Sequence, residues 1–214
     1  MNHYDAYLFD WDGTLARTLE IWIDQLHVRY GEYGLPVTRQ QAAQGFGNLK
    51  AALAYGLPPH QLSEFQEGVN AAVKKRLPDV PLYDDVTLML TQLKQQGKQL
   101  ALVTTSLRPN LELVMGNHGV EALFDVIVTS EDVKKHKPDP ESIDLAIAKL
   151  GVEKDRALML GDTAHDLLAA HNAGIASALF YPEAHSVIHD LNFLLSHNPT
   201  HTLHTWRELI DQLQ

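Results

Sequence analysis

Cysteine is absent from the 214 residues, so no disulfide can hold this fold together. Long apolar runs are absent too, and none approaches the length of a bilayer span. The first residues are polar and lack a basic segment leading into an apolar one, so no signal peptide is expected. Positive charge is scarce. Its longest runs are Lys74-Lys75-Arg76 and Lys134-Lys135, and the formal net charge is -10, a poor match for nucleic acid or an anionic membrane. Neither an internal repeat nor a low-complexity tract is visible. These absences leave a cytoplasmic soluble protein as the expectation. What is present is an apolar fraction of 45%, enough for a packed interior, in a length that suits one large domain or a core with a smaller insert.

The chain is organised around Tyr7-Leu8-Phe9-Asp10-Trp11-Asp12-Gly13-Thr14-Leu15. A short apolar run ended by turn residues reads as a buried strand and the loop that follows it. Carboxylates at such a spot are costly unless they bind a metal or do chemistry. Because the strand ends at Asp10, its alternation need not continue, and Asp10 and Asp12 can converge on one point. The competing account is an Asp-Gly turn with Asp12 in water.

Residues 15–30 carry Leu19, Ile21, Trp22, Ile23, Leu26, Val28 and Tyr30 on a helical period, stopped by Gly31 and Gly34-Leu35-Pro36. Three further helices are expected over 38–45, 48–55 and 59–77, with Thr38, Asn48 and Pro58-Pro59 as start signals. Pro78 and Pro81 then mark a hinge. From Tyr83 the pattern alternates. Asp84 or Asp85 can cap a helix carrying Val86, Met89, Leu90 and Leu93. Strands follow at 99–103, 124–128, 157–160 and 175–180, the last one expected, interleaved with helices at 109–118, 140–150, 163–172 and 205–213. Such alternation implies a doubly wound parallel α/β sheet with ligands bound beyond the carboxyl ends of its strands, where Asp10, Thr104 and Asp162 fall. The expected division is a Rossmann-like core from 1–15 and 82–214 and a small all-helical cap from 16–81.

Four stations in order give this pattern an identity. They are Asp10-Trp11-Asp12-Gly13-Thr14, Val103-Thr104-Thr105-Ser106, Lys137-Pro138-Asp139-Pro140, and Gly161-Asp162-Thr163-Ala164-His165-Asp166. Each alone has a plain account: a strand threonine, a solvated lysine, an N-cap at Asp162, an early-helix acid at Asp166. Together, over nearly the whole chain, they resemble the haloacid dehalogenase-like phosphatases. The resemblance implies Asp10 as a nucleophile forming an aspartyl-phosphate and Asp12 as general acid, then base. It implies Mg²⁺ held by Asp10, the Asp12 main-chain carbonyl and Asp162, with Asp166 holding a metal-bound water or orienting Lys137. Phosphoryl oxygens would be held by Thr104, the Thr105 region and Lys137.

The partner implied is a small phosphorylated metabolite, with a monomer or homodimer as the working unit and phosphoglycolate phosphatase as the comparison. A β-phosphoglucomutase-like mutase shares every station. A phosphonoacetaldehyde hydrolase is suggested by Trp11 and Lys50, but it would carry Ala where this chain has Asp12. A catalytically silent phospholigand-binding protein would be expected to lose one of the carboxylates. Gly45-Phe46-Gly47-Asn48-Leu49-Lys50 resembles a cap loop that reads the leaving group in relatives, and its plain account is a loop between helices. Arg17-Thr18 departs from the Asp-Ser of many relatives. His185, His189, His197, His201 and His204 crowd the C-terminal stretch. His185 and His189 have the spacing of zinc ligands, but no cysteine or spaced Glu completes a site, so a polar surface tail is expected.

Overall fold

The computed structural model describes residues 1, 3–44 and 50–213. Its centre is a sheet of six parallel strands in the order β3-β2-β1-β4-β5-β6. The strands are β1 (Ala6–Phe9), β2 (Gln99–Val103), β3 (Val126–Val128), β4 (Ala157–Gly161), β5 (Ala176–Phe180) and β6 (His201–Leu203). Strand alternation decides what each face buries. Ala6, Leu8, Ala101, Val103, Ala157 and Met159 point to one side, against α7 (Glu141–Leu150) and α8 (Ala164–Ala173). Tyr7, Phe9, Leu100, Leu102, Leu158 and Leu160 point to the other, against α5 (Val86–Gln95), α6 (Arg108–His118) and α10 (Trp206–Gln212). Both faces are therefore covered, as a parallel sheet requires.

Helices α1 (Thr18–Glu32), α2 (Arg39–Gln44), α3 (Ala51–Ala54) and α4 (Leu62–Arg76) lie between β1 and α5 in the chain. Tyr30 of α1 packs on Phe65 of α4, with ring centroids 5.1 Å apart. The passages into and out of this segment run side by side. Arg17 N–H donates to Pro81 O and Tyr83 N–H donates to Leu15 O, both at 2.9 Å. Among the described residues, no helix is long and apolar enough to cross a membrane.

Some local expectations change. The strand expected over 124–128 shortens to β3. The Asp125 carboxylate accepts the Leu100 N–H at 2.8 Å and pairs with Lys94 at 2.7 Å, so this residue serves as a side-chain clamp. Asp85 does precede α5, but in left-handed backbone (φ 63°), and its carboxylate pairs with Arg207 at 2.9 Å instead of capping the helix. The strand at 175–180 is not the last: β6 adds a sixth, and α9 (Leu191–Leu195) precedes it. A three-residue edge strand beginning with His carries too little periodicity to be read from sequence.

Candidate active site

The strand order reverses between β1 and β4, which opens a crevice at their carboxyl ends. Asp10 follows β1 at once, its N–H still donating to Leu160 O of β4 at 2.9 Å. Asp162 follows β4. Its side chain is fully buried, Oδ1 accepting from Thr14 Oγ1 at 3.0 Å and Oδ2 lying 3.2 Å from His189 Nε2. The loop between β1 and α1 is wound on one acceptor: Trp11 O receives the N–H groups of Thr14, Leu15 and Ala16. Gly13 makes this winding possible, with φ at +81°. A Cβ there would stand 2.5 Å from Asp162 Oδ2. Left-handed backbone alone costs a non-glycine residue about 1–2 kcal/mol. Gly13→Ala is thus expected to lower both the thermal midpoint and the activity, because the intruding methyl displaces Asp162. An unchanged melting curve together with an unchanged rate would contradict this account.

Lys137 comes from the loop before α7. The Glu141 carboxylate accepts the N–H groups of Lys134 and Lys135, each at 3.0 Å, and Asn172 donates to Pro138 O at 2.9 Å. So anchored, the loop drives Nζ of Lys137 inward to 2.6 Å from Asp10 Oδ1, 2.6 Å from Asp166 Oδ1 and 3.0 Å from Val103 O. Asp166 reaches it from the start of α8. Its other oxygen closes a capping box with Thr163, accepting from Oγ1 at 2.6 Å and from N–H at 3.1 Å. One side chain therefore caps the helix and aims the lysine. Asp166 thus contacts Lys137 directly.

Charge in the cluster is unbalanced. Burial pushes the Asp10 carboxyl well up, and Asp166, Asp162 and Asp12 add to the rise while Lys137 opposes it. Burial raises Asp162 as well, against the His189 hydrogen bond. Lys137 is held above its ordinary value by Asp10 and Asp166, which outweigh its own burial. Carboxylate oxygens of Asp10, Asp162 and Asp166 lie within 4.8 Å of one another. Such crowding favours a bound cation.

The cluster opens into a cavity of about 270 Å³ lined by Asp10, Asp12, Trp22, Thr105, Lys137 and His165 among others. A second cavity of about 290 Å³ shares Asp12, Trp22 and Ser106 with it and adds Asn70, Lys74 and Asn110. Ser106 Oγ donates to Asp12 Oδ2 at 2.5 Å. Thr104 is buried, and its Oγ1 accepts the Ser106 N–H at 3.0 Å, so Thr105 and Ser106 form the cavity wall at that station. Gly45, Phe46 and Gly47 lie outside the described residues. Lys50 is exposed at the start of α3 and, among the described residues, lines neither cavity. Sequence reasoning passed over Trp22, which its period assigned to a packed helix face, and His165, whose position beside Asp166 in the fourth station was the available signal.

A parallel sheet with a lysine driven into clustered carboxylates at its switch point defines a hydrolase class that comparison makes specific. The Haloacid dehalogenase-like hydrolase family profile matches residues 7–180, and the chain belongs to that family. It is an enzyme, a phosphatase of this kind. A curated relative, the pyrophosphatase PpaX of Bacillus velezensis, is 36% identical over 187 residues, covering 81% of each chain. The fold is similar to that of a HAD family hydrolase from Deinococcus radiodurans solved with bound phosphate and sodium (TM-score 0.88, 22% identity, 100% of this chain and 96% of that one). It is also similar to a predicted phosphoglycolate phosphatase from Haemophilus somnus (TM-score 0.82, 21% identity, 100% of both chains).

Proposed function

We propose that this protein is a Mg²⁺-dependent phosphatase that hydrolyses a small phosphorylated metabolite through an aspartyl-phosphate on Asp10. The convergence of Asp10, Lys137, Asp162 and Asp166 at one buried point, with Asp12 facing the adjoining cavity, carries this reading.

The donor set suits the cation: oxygen-only, anionic and crowded to the point that burial raises Asp10 and Asp162. Asp10, the Asp12 main-chain carbonyl and Asp162 would hold Mg²⁺, with Asp166 beside them. Bound there, the ion would supply positive charge between an anionic nucleophile and an anionic substrate. Asp10 attacks phosphorus. Lys137, kept protonated by its two carboxylate partners, balances phosphoryl charge. Thr105, Ser106 and neighbouring N–H groups on the cavity wall bind phosphoryl oxygens, and Thr104 holds that wall in place through its bond to the Ser106 N–H. Asp12, steadied by Ser106, gives its proton to the leaving oxygen and then takes one from the water that cleaves the intermediate. Residues 16–81 act as a cap over the core formed by 1–15 and 82–214, and the cavity bearing Asn70, Lys74 and Asn110 receives the leaving group. The exposed position of Lys50 gives the phosphonoacetaldehyde hydrolase reading no support.

The test is a hydrolysis panel of small phosphate esters, inorganic pyrophosphate and phosphopeptides, run with Mg²⁺. Pyrophosphate belongs in it because the Bacillus velezensis relative is a pyrophosphatase. Small substrates are expected to exceed every phosphopeptide in kcat/KM; the reverse order would sink the capped-site reading. On the same panel, EDTA is expected to abolish turnover, Mg²⁺ to restore it, and Ca²⁺ to restore it poorly, because its larger and looser coordination shell suits in-line attack badly. Undiminished turnover by metal-free protein would remove the role given to the carboxylates.

A further inference from the structure

The histidines at 185 and 189 do not form the polar surface tail that their composition suggests. His185 is fully buried in the 3₁₀ turn Glu183–Val187, and His189 follows one turn later, its N–H donating to His185 O at 2.9 Å. Both rings face Asp162: His189 Nε2 is 3.2 Å from Oδ2, and His185 Nδ1 is 3.9 Å from the same oxygen. One ligand atom from each of Asp162, His185 and His189 lies within 4.8 Å of the other two. Four-coordinate zinc with bonds of ~2.0–2.1 Å separates its ligands by about 3.4 Å, so the cluster would close by up to about 1.4 Å at its widest separation.

His185 points to a ligand. Its Nε2 is taken by Tyr83 Oη at 2.8 Å, but its Nδ1 is buried with no hydrogen-bond partner. Buried polar nitrogens are seldom left so. With Nε2 bonded to the Tyr83 hydroxyl, a neutral His185 offers a lone pair from Nδ1 if Nε2 carries the proton to Tyr83. That arrangement, one nitrogen on the metal and the other donating to a fixed oxygen, is how ligating histidines are usually held. His189 also borders an open cavity of about 450 Å³ with Gln44, Tyr181 and Asp190, which gives an ion a route in.

We propose that Asp162, His185 and His189 form a second cation site, suited to a borderline transition metal such as Zn²⁺, back to back with the carboxylate cluster and sharing Asp162 with it. Two imidazoles and one carboxylate make a set that Zn²⁺ prefers and Mg²⁺ does not. Because Asp162 is shared, Zn²⁺ competes for the group the catalytic cation needs and inhibits. This coupling rests on the assignment of Asp162 to Mg²⁺; the site itself does not.

The deciding experiment titrates the metal-free full chain with Co²⁺, in excess Mg²⁺, and follows visible absorption. One equivalent is expected to give the intense bands of low-coordinate cobalt, and Zn²⁺ to bleach them. His189→Gln, at the accessible rim, is expected to weaken binding at least tenfold, and His185→Gln likewise if it folds. His197→Gln, whose ring bonds Phe193 O, should change nothing. Asp10→Asn is expected to keep the cobalt bands while losing turnover, so failure of the Mg²⁺ reading and failure of this site are told apart. Only the weak bands of six-coordinate cobalt, or a titration unaltered by His189→Gln, would overturn the site. So would a crystal structure grown with Zn²⁺ that shows water alone on His185 Nδ1. Zn²⁺ is also expected to inhibit the Mg²⁺-supported reaction, at least tenfold less potently in His189→Gln; equal inhibition of both proteins would overturn the shared role of Asp162.

Discussion

Asp10→Asn should cut turnover of p-nitrophenyl phosphate by about 10³-fold or more, because the amide keeps the shape of the side chain and loses the anion that attacks phosphorus. The fold should not suffer. Asp10 is buried beside three other carboxylates, each of which raises its pKa, so removing one negative charge relieves repulsion. Asp166 remains to pair with Lys137. The metal-free variant is therefore expected to melt at or above the temperature of the metal-free parent. Circular dichroism melts and the rate assay separate these effects. A variant with near-parental rate would refute the nucleophile assignment, and a sharply lowered midpoint would refute the electrostatic account.

Lys137→Met should be the most destabilising single change at the site. The lysine is only 5% exposed and touches Asp10 and Asp166 at 2.6 Å each. Breaking a buried ion pair from one side costs about 3–5 kcal/mol, because the remaining charge is stranded away from water. In a chain of this size that lowers the midpoint by on the order of 10 °C. Activity should collapse with it. The diagnostic is a double-mutant cycle: adding Asp10→Asn to Lys137→Met should restore part of the lost stability, since it removes one stranded anion. If the two changes are simply additive, the ion pair does not hold this part of the fold.

Much of the architecture was legible because its signals are local. Runs such as Leu100-Ala101-Leu102-Val103 and Leu158-Met159-Leu160 are short, apolar and bounded by turn residues, and they became β2 and β4 close to the expected limits. Asp10 and Asp162 could be located because each stands at the end of such a run, and Lys137 because Lys137-Pro138-Asp139-Pro140 resembles the family's third station. What escaped depends on pairing between distant segments. β6 is three residues long and exists because β5 offers it an edge. Asp125 leaves its strand because Lys94 and the Leu100 N–H claim its carboxylate. The fate of the histidines was illegible for the same reason: Asp162, the group they face, lies more than twenty residues away in the chain and meets them only when β4 and the Glu183–Val187 turn pack together.

The adjacent passages at Leu15–Arg17 and Pro81–Tyr83 have a consequence for how this enzyme can change. Their hydrogen bonds place the two ends of the helical segment side by side. The loop-closure cost across such a gap grows only with the logarithm of the number of residues interpolated, about 0.6 kcal/mol per doubling. If residues 16–81 are the cap proposed above, these helices are in effect a graft on the sheet scaffold. A graft of different length or sequence could alter what reaches Asp12 while Asp10, Lys137 and Asp162 keep the positions that the sheet assigns them.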